Sequence, residues 1–134
     1  MAGYSGTPLP SKLGIREGHT IAFRNAPPGF TATLGDLPGG VRVKARATRP
    51  VDVVVAFFTA RAALTRRLEP LGGGIHPDGS LWVAWPKRSS GVATDMTEDV
   101  VRELALPLGL VDNKVCAIDE TWSGLRLVHR VENR

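Results

Sequence analysis

One cysteine, Cys116, stands in the 134 residues, so no disulfide can close within the chain. Metal-ligand spacing is missing too: His19, His76 and His129 match no zinc pattern, which argues against a structural metal site. Aromatic residues make up only 6% of the chain and mostly fall inside apolar runs. They do not form the interleaved platforms of a single-strand nucleic-acid binder. No apolar run approaches the roughly 20 residues of a membrane span. The opening MAGYSGTPLPSKLGI has no apolar signal core, which predicts a cytoplasmic protein. Charge of one sign is scarcely in excess, with 17 Lys+Arg against 13 Asp+Glu. The basic residues are mostly Arg and are interspersed with acids, which fits a solvated surface better than a nucleic-acid face. Neither a Gly-x-Ser-x-Gly elbow nor a Gly-x-x-x-x-Gly-Lys-Ser/Thr loop occurs.

What is present is a globular composition, 43% hydrophobic and 22% charged. Length and composition predict one α/β domain over 1–134, with a lead-in segment at 1–19 and the sheet and helices over 20–131. The lead-in should hold a helical turn near Ser11–Leu13. Thr20–Asn25 reads as a first strand, Ala26-Pro27-Pro28-Gly29-Phe30 as a turn, and Thr31–Leu37 as a short helix ended by Pro38-Gly39-Gly40. Val41–Arg46 alternates with period two, giving an apolar face and a basic face, so it is expected at a sheet edge. VDVVVAFFT at 51–59 is continuously apolar, as a central strand covered on both faces must be.

Ala60–Leu71 carries Ala60, Leu64, Leu68 and Leu71 on one helical face, with Thr59 as the expected N-cap and Gly72-Gly73-Gly74 as the expected stop. His76–Gly79 reads as a turn, and Ser80–Trp85 as a second central strand closed by Pro86. Trp82 and Trp85, three apart, should face opposite sides of it. The next helix should start at Asp95 with Glu98, or at Thr97, present Val100, Val101, Leu104 and Leu108, and end at Pro107-Gly109. Val111–Ile118 and Leu125–Val131 are the last strands, joined by Asp119–Gly124. Cys116 should be a buried, inert thiol. Apolar strands separated by helices predict a three-layer, Rossmann-like, mainly parallel sheet, closed by an antiparallel C-terminal hairpin.

This succession resembles a shortened fold of the S-adenosylmethionine-dependent methyltransferases. Pro50–Val55 looks like the approach to that family's fourth strand, and Ile75–Val83 stands where its fifth begins. The segments GYSGTPLPSKLGI at 3–15, LWVAWPKRSSGVATDMTEDVVRE at 81–103 and LGLVDNKVCAIDETWSGLRLV at 108–128 also resemble a bacterial family known only as a domain of unknown function. That second resemblance implies no activity.

The methyltransferase resemblance implies a Gly-rich loop after the first strand and an acid at the end of the second. Asn25–Phe30 instead has one glycine and two prolines that lack backbone donors, and the second strand ends Lys44-Ala45-Arg46-Ala47-Thr48-Arg49. No cofactor is therefore expected, and S-adenosylmethionine is disfavoured. Any ligand should lie beyond the carboxyl ends of the parallel strands. Lys87, Arg88, Ser89 and Ser90 offer cations and hydroxyls to an anion there, and Asp95 could order that loop through Lys87 or Arg88. Asn25 and Thr59 share the rim. Trp85 and Trp122 would supply apolar contact, and Asp119-Glu120 forms an acidic pair.

These residues favour a non-catalytic protein binding a small anionic ligand or a protein partner, as a monomer or homodimer and without a membrane. The alternatives are a minimal S-adenosylmethionine- or nucleotide-dependent transferase, and a basic nucleic-acid module through Arg42, Lys44 and Arg46.

Overall fold

The structure, a computed structural model, describes residues 7–46 and 50–133. Gly3–Gly6 of the lead-in and Ala47-Thr48-Arg49 at the end of the second strand lie outside the described residues. The elements are α1 (Leu9–Lys12), β1 (Thr20–Arg24), α2 (Phe30–Leu34), β2 (Arg42–Lys44), β3 (Val51–Phe57), α3 (Arg61–Gly74), β4 (Ile75–Pro86), α4 (Glu98–Ala105), β5 (Leu110–Ala117) and β6 (Trp122–His129). They build one six-stranded sheet in the order β2-β1-β3-β4-β6-β5. The strands β2, β1, β3 and β4 are parallel, and β6 and β5 are antiparallel additions. This is the Rossmann-like sheet with a closing antiparallel hairpin that the sequence predicts.

Both faces are covered over Val53–Phe57 of β3 and Leu81–Trp85 of β4, which is why these stretches are apolar throughout. Val54, Ala56, Leu81, Val83 and Trp85 pack on one face beneath Leu64, Leu68 and Leu71 of α3 and Val101 and Ala105 of α4. Val53, Val55, Phe57, Trp82 and Ala84 pack on the other with Leu13, Ile15, Phe30 and Leu34. Trp82 and Trp85 therefore do face opposite ways. Each large apolar side chain fully buried in these layers contributes about 1.5–3 kcal/mol relative to exposure.

Several boundaries differ from the sequence reading. The short helix α2 covers Phe30–Leu34 and stops at Gly35 (φ 77°), before the Pro38-Gly39-Gly40 turn. Strand β2 is an edge, as expected, but it is three residues long and leaves Val43 53% exposed, so its alternation buries no apolar face. Helix α3 begins one residue late. Its N-cap position is Ala60, exposed rather than on the buried face, and Thr59 does not cap it. The cap is tertiary instead: Asp95 Oδ1 accepts from the Arg61 amide at 2.7 Å. Asp95 thus orders the start of α3. Helix α3 also runs through Gly72–Gly74. Packing overrides propensity here, since a Cβ on Gly72 would lie 3.0 Å from Leu110 Cδ1.

Strand β4 is continuous from Ile75, and His76–Gly79 is a bulge within it rather than a turn before it. Thr97 caps α4, its Oγ1 accepting from the Val100 amide at 3.1 Å. Pro107 turns that helix into a 3₁₀ segment ending at Gly109 (φ 77°), which leaves Leu108 37% exposed instead of on the core face. Strand β6 starts at Trp122, so Trp122–Gly124 are strand, not connection. Cys116 is only half-buried, because β5 is the other sheet edge.

Candidate functional site

The carboxyl ends of the parallel strands collect most of the residues that the sequence points to. Strand β6 runs antiparallel to β4 with Trp122 opposite Pro86, so the β5–β6 turn reaches the same end as the loop after β4. The Lys87 amide donates to the Thr121 carbonyl at 2.8 Å and ties the two loops together. Asn25, Thr59, Lys87–Ser90, Asp119, Glu120 and Trp122 therefore share one end of the sheet.

They do not share one face. Trp122 lies on the α2 side, edge-on to Phe57 with ring centroids 5.1 Å apart. Phe57 meets Phe30 at 4.9 Å, and Phe30 meets Phe23 at 5.1 Å. This row of four rings fills the space under the loop after β1. Trp85 lies on the α3–α4 side. The two tryptophans cannot grip one ligand, contrary to the sequence reading.

Several candidates turn out to hold the loops in shape. Asp119 Oδ1 accepts from the Thr121 and Trp122 amides, both at 2.8 Å, so this carboxylate caps a turn rather than pairing with Glu120 for acid–base work. Ser90 Oγ donates to the Lys87 carbonyl at 2.6 Å and accepts from the Val92 amide at 3.1 Å, which occupies the hydroxyl proposed for an anion. Asn25 adopts φ 57° and its side-chain amide donates to the Phe57 carbonyl at 3.2 Å, joining the tips of β1 and β3. The Thr59 carbonyl accepts from Thr94 Oγ1 at 2.6 Å, and that oxygen in turn accepts from the Met96 amide at 3.0 Å. Ser89 and Glu120 are exposed.

What remains open is a cavity of about 550 Å³ on the α3–α4 side. Trp85, Arg88, Val92, Thr94, Met96 and Thr97 line it, with Glu98 at the start of α4. Trp85 is 7% exposed and Met96 3%, so the apolar lining is anchored in the core. Glu98 is the acid in the lining, and Arg102 holds it in an ion pair. The hydrogen bonds that the Arg102 guanidinium donates to Asp112 and then to Glu98 raise its pKa above the ordinary value. The Arg88 side chain makes no ion pair or hydrogen bond among the described residues. Sequence reasoning missed Thr94 and Met96. Their signal was weak, since Met96 precedes the N-cap of α4 in a stretch that reads as loop.

No family model and no curated protein matches the chain. Solved structures do. A SAM-dependent methyltransferase from Aquifex aeolicus superposes with a TM-score of 0.63 at 15% identity, over 87% of this chain and 85% of that one. Magnesium protoporphyrin IX methyltransferase from Synechocystis PCC 6803, with bound SAM, gives 0.60 at 11% identity, over 91% and 74%. An O-methyltransferase from neocarzinostatin biosynthesis, in complex with SAM, gives 0.61 at 12% identity, over 84% of this chain and 49% of that one. At these identities the likeness is one of fold: the chain has the Rossmann-like sheet of the SAM-dependent methyltransferases in a shortened form.

Proposed function

We propose that this chain is a non-catalytic binding protein on a methyltransferase-like sheet, taking a small molecule that joins an aromatic or apolar body to an anionic group. The cavity at the end of β4 carries this reading. Trp85, Val92 and Met96 offer apolar contact, and Arg88 offers a cation that no acid of the chain neutralises among the described residues. Its volume suits a small organic ligand. An aryl carboxylate or phosphate fits this lining better than a bare inorganic ion, which would leave the apolar wall unused.

The fold itself favours a second reading, a degenerate S-adenosylmethionine-dependent transferase. Against it stand the residues after β1. Pro27 and Pro28 bring no amide donors, the Phe30 amide is bonded to the Pro27 carbonyl at 3.1 Å, and the aromatic row fills the space below. No carboxylate follows β2 at Ala45 or Arg46.

Calorimetric titration with phenyl phosphate, benzoate and S-adenosylmethionine separates the two. The proposal expects binding of phenyl phosphate or benzoate by the wild type and its loss in Arg88→Ala. Binding of S-adenosylmethionine alone, unaffected by Arg88→Ala, overturns it in favour of the transferase.

A further inference from the structure

At the opposite end of the sheet, the register of β3 and β4 jumps. Val51 pairs with Ile75, but Val53 pairs with Ser80, so β4 carries extra residues over His76–Gly79. A bulge of this kind locally breaks the ladder and re-aims side chains. It is built on close backbone approach: a Cβ on Gly79 would sit 2.8 Å from the Asp52 carbonyl oxygen and 3.2 Å from those of Val51 and His76. Asp52 secures the same place from its side chain. Its Oδ2 accepts from the Thr20 amide at 2.8 Å, and His76 Nε2 lies 3.9 Å from its Oδ1.

The bulge opens a cavity of about 320 Å³ lined by Arg16, His19, Asp52, Asp78, Ser80 and Arg126, along with Gly14, Val53 and Gly79. The lead-in segment covers it. That cover is fixed by the Trp82 indole, whose Nε1 donates to the Leu13 carbonyl at 2.9 Å in the core. His19 Nδ1 accepts from the Arg16 amide at 3.1 Å, so its proton resides on Nε2 in the neutral ring. Ser80, on the cavity wall, is the one polar residue in the buried set among the described residues, 1% exposed.

We propose that this cavity is a ligand site, separate from the one at the other end of β4, for a small zwitterion of the α-amino acid class. The lining has two guanidinium groups and two carboxylates, so a net anion or a net cation would meet repulsion as well as attraction. A molecule carrying both charges a few ångströms apart pairs with each. Arg16, exposed at the mouth, takes the carboxylate, Asp78 takes the ammonium, and Ser80 supplies a hydrogen bond from the floor. Arg126 is already engaged within the chain and Asp52 is held by Thr20, so these two set the field rather than grip the ligand.

The test is calorimetric titration of the full chain with glycine, serine, glutamate and arginine, with acetate and methylamine as single-charge controls. At least one amino acid should bind while both controls fail. Ser80→Ala and Arg16→Ala should each weaken that binding about tenfold or more, and Arg66→Ala, an exposed position on α3 away from both cavities, should leave it unchanged. Absence of binding for all four amino acids up to about 10 mM overturns the proposal. So does acetate or methylamine binding as tightly as the amino acid, or retained affinity in both cavity variants. Arg16 is exposed, so its variant carries the test even if Ser80→Ala perturbs the core.

Discussion

Replacing Trp82 with Phe tests whether the lead-in segment is a structural part of the fold. Trp82 is fully buried, and its only polar atom is spent on the Leu13 carbonyl at 2.9 Å. Phenylalanine keeps the ring against Leu13, Ile15 and Ile118 but removes that donor. The net worth of such a bond is about 1 kcal/mol, and a buried carbonyl left unpaired costs about 1–3 kcal/mol. The smaller ring also leaves a void worth about 1 kcal/mol. The expected loss is about 2–4 kcal/mol, or a melting temperature lower by about 10 °C for a domain of this size. Urea unfolding followed by far-UV circular dichroism reads it directly, without relying on tryptophan emission that the substitution alters. Trp85→Phe is the control, because the Trp85 indole has no hydrogen-bond partner among the described residues, and it should cost less. A loss below about 0.5 kcal/mol in Trp82→Phe would refute the anchoring argument, because it would mean that the Leu13 carbonyl never depended on the indole.

Gly79→Ala should destabilise by about 1–3 kcal/mol in the same assay, since the added methyl meets backbone oxygens that cannot step aside; an unchanged midpoint would show that the bulge is plastic. Thr97→Ala removes the cap of α4 and should cost about 1 kcal/mol by urea unfolding, with Thr97→Ser recovering most of it. Burial pushes the Cys116 thiol pKa up, although Lys12 and Lys114 act in the other direction. The folded thiol therefore holds its proton to higher pH than the unfolded one, and stability should fall as pH rises from the unfolded thiol range towards the raised folded value. Cys116→Ala should flatten that slope, which is measured as unfolding free energy against pH.

The parallel core was legible because burial on two faces leaves no room for alternation. VDVVVAFFT and SLWVAW could satisfy that constraint only as central strands. Thr97 and Gly109 were equally readable, since a cap hydrogen bond and a left-handed residue are local demands. What the sequence hid is tertiary. A helix whose cap comes from Asp95, far along the chain, has no local signature, so Thr59 took the credit. The glycines at 72–74 read as a stop because propensity is local, while the close contact with Leu110 is not. His76-Pro77-Asp78-Gly79 has the composition of a turn, and only the register against β3 reveals a bulge. The candidate rim suffered in the same way: Ser90 and Asp119 have the right chemistry for a ligand, but the loops spend those oxygens on their own amides.

The two ends of β4 have been put to different uses by the same backbone rule. At the carboxyl end, where parallel strands usually present a ligand, aromatic rings occupy the α2 side, and among the described residues a cavity opens on the α3–α4 side. At the amino end, the bulge withdraws β4 from its ladder, and the space it vacates is lined by charges and by a buried serine. From Ser80 to Pro86 the strand spans roughly 20 Å at its ordinary rise per residue. Groups that far apart and without shared partners act independently, so losses caused by Ser80→Ala and Arg88→Ala should add in stability and should not cross over in binding. A double variant in which the two ligand responses proved coupled would mean that the sheet transmits strain between its ends, and the rigid, doubly covered strands β3 and β4 are the elements through which that coupling would have to pass.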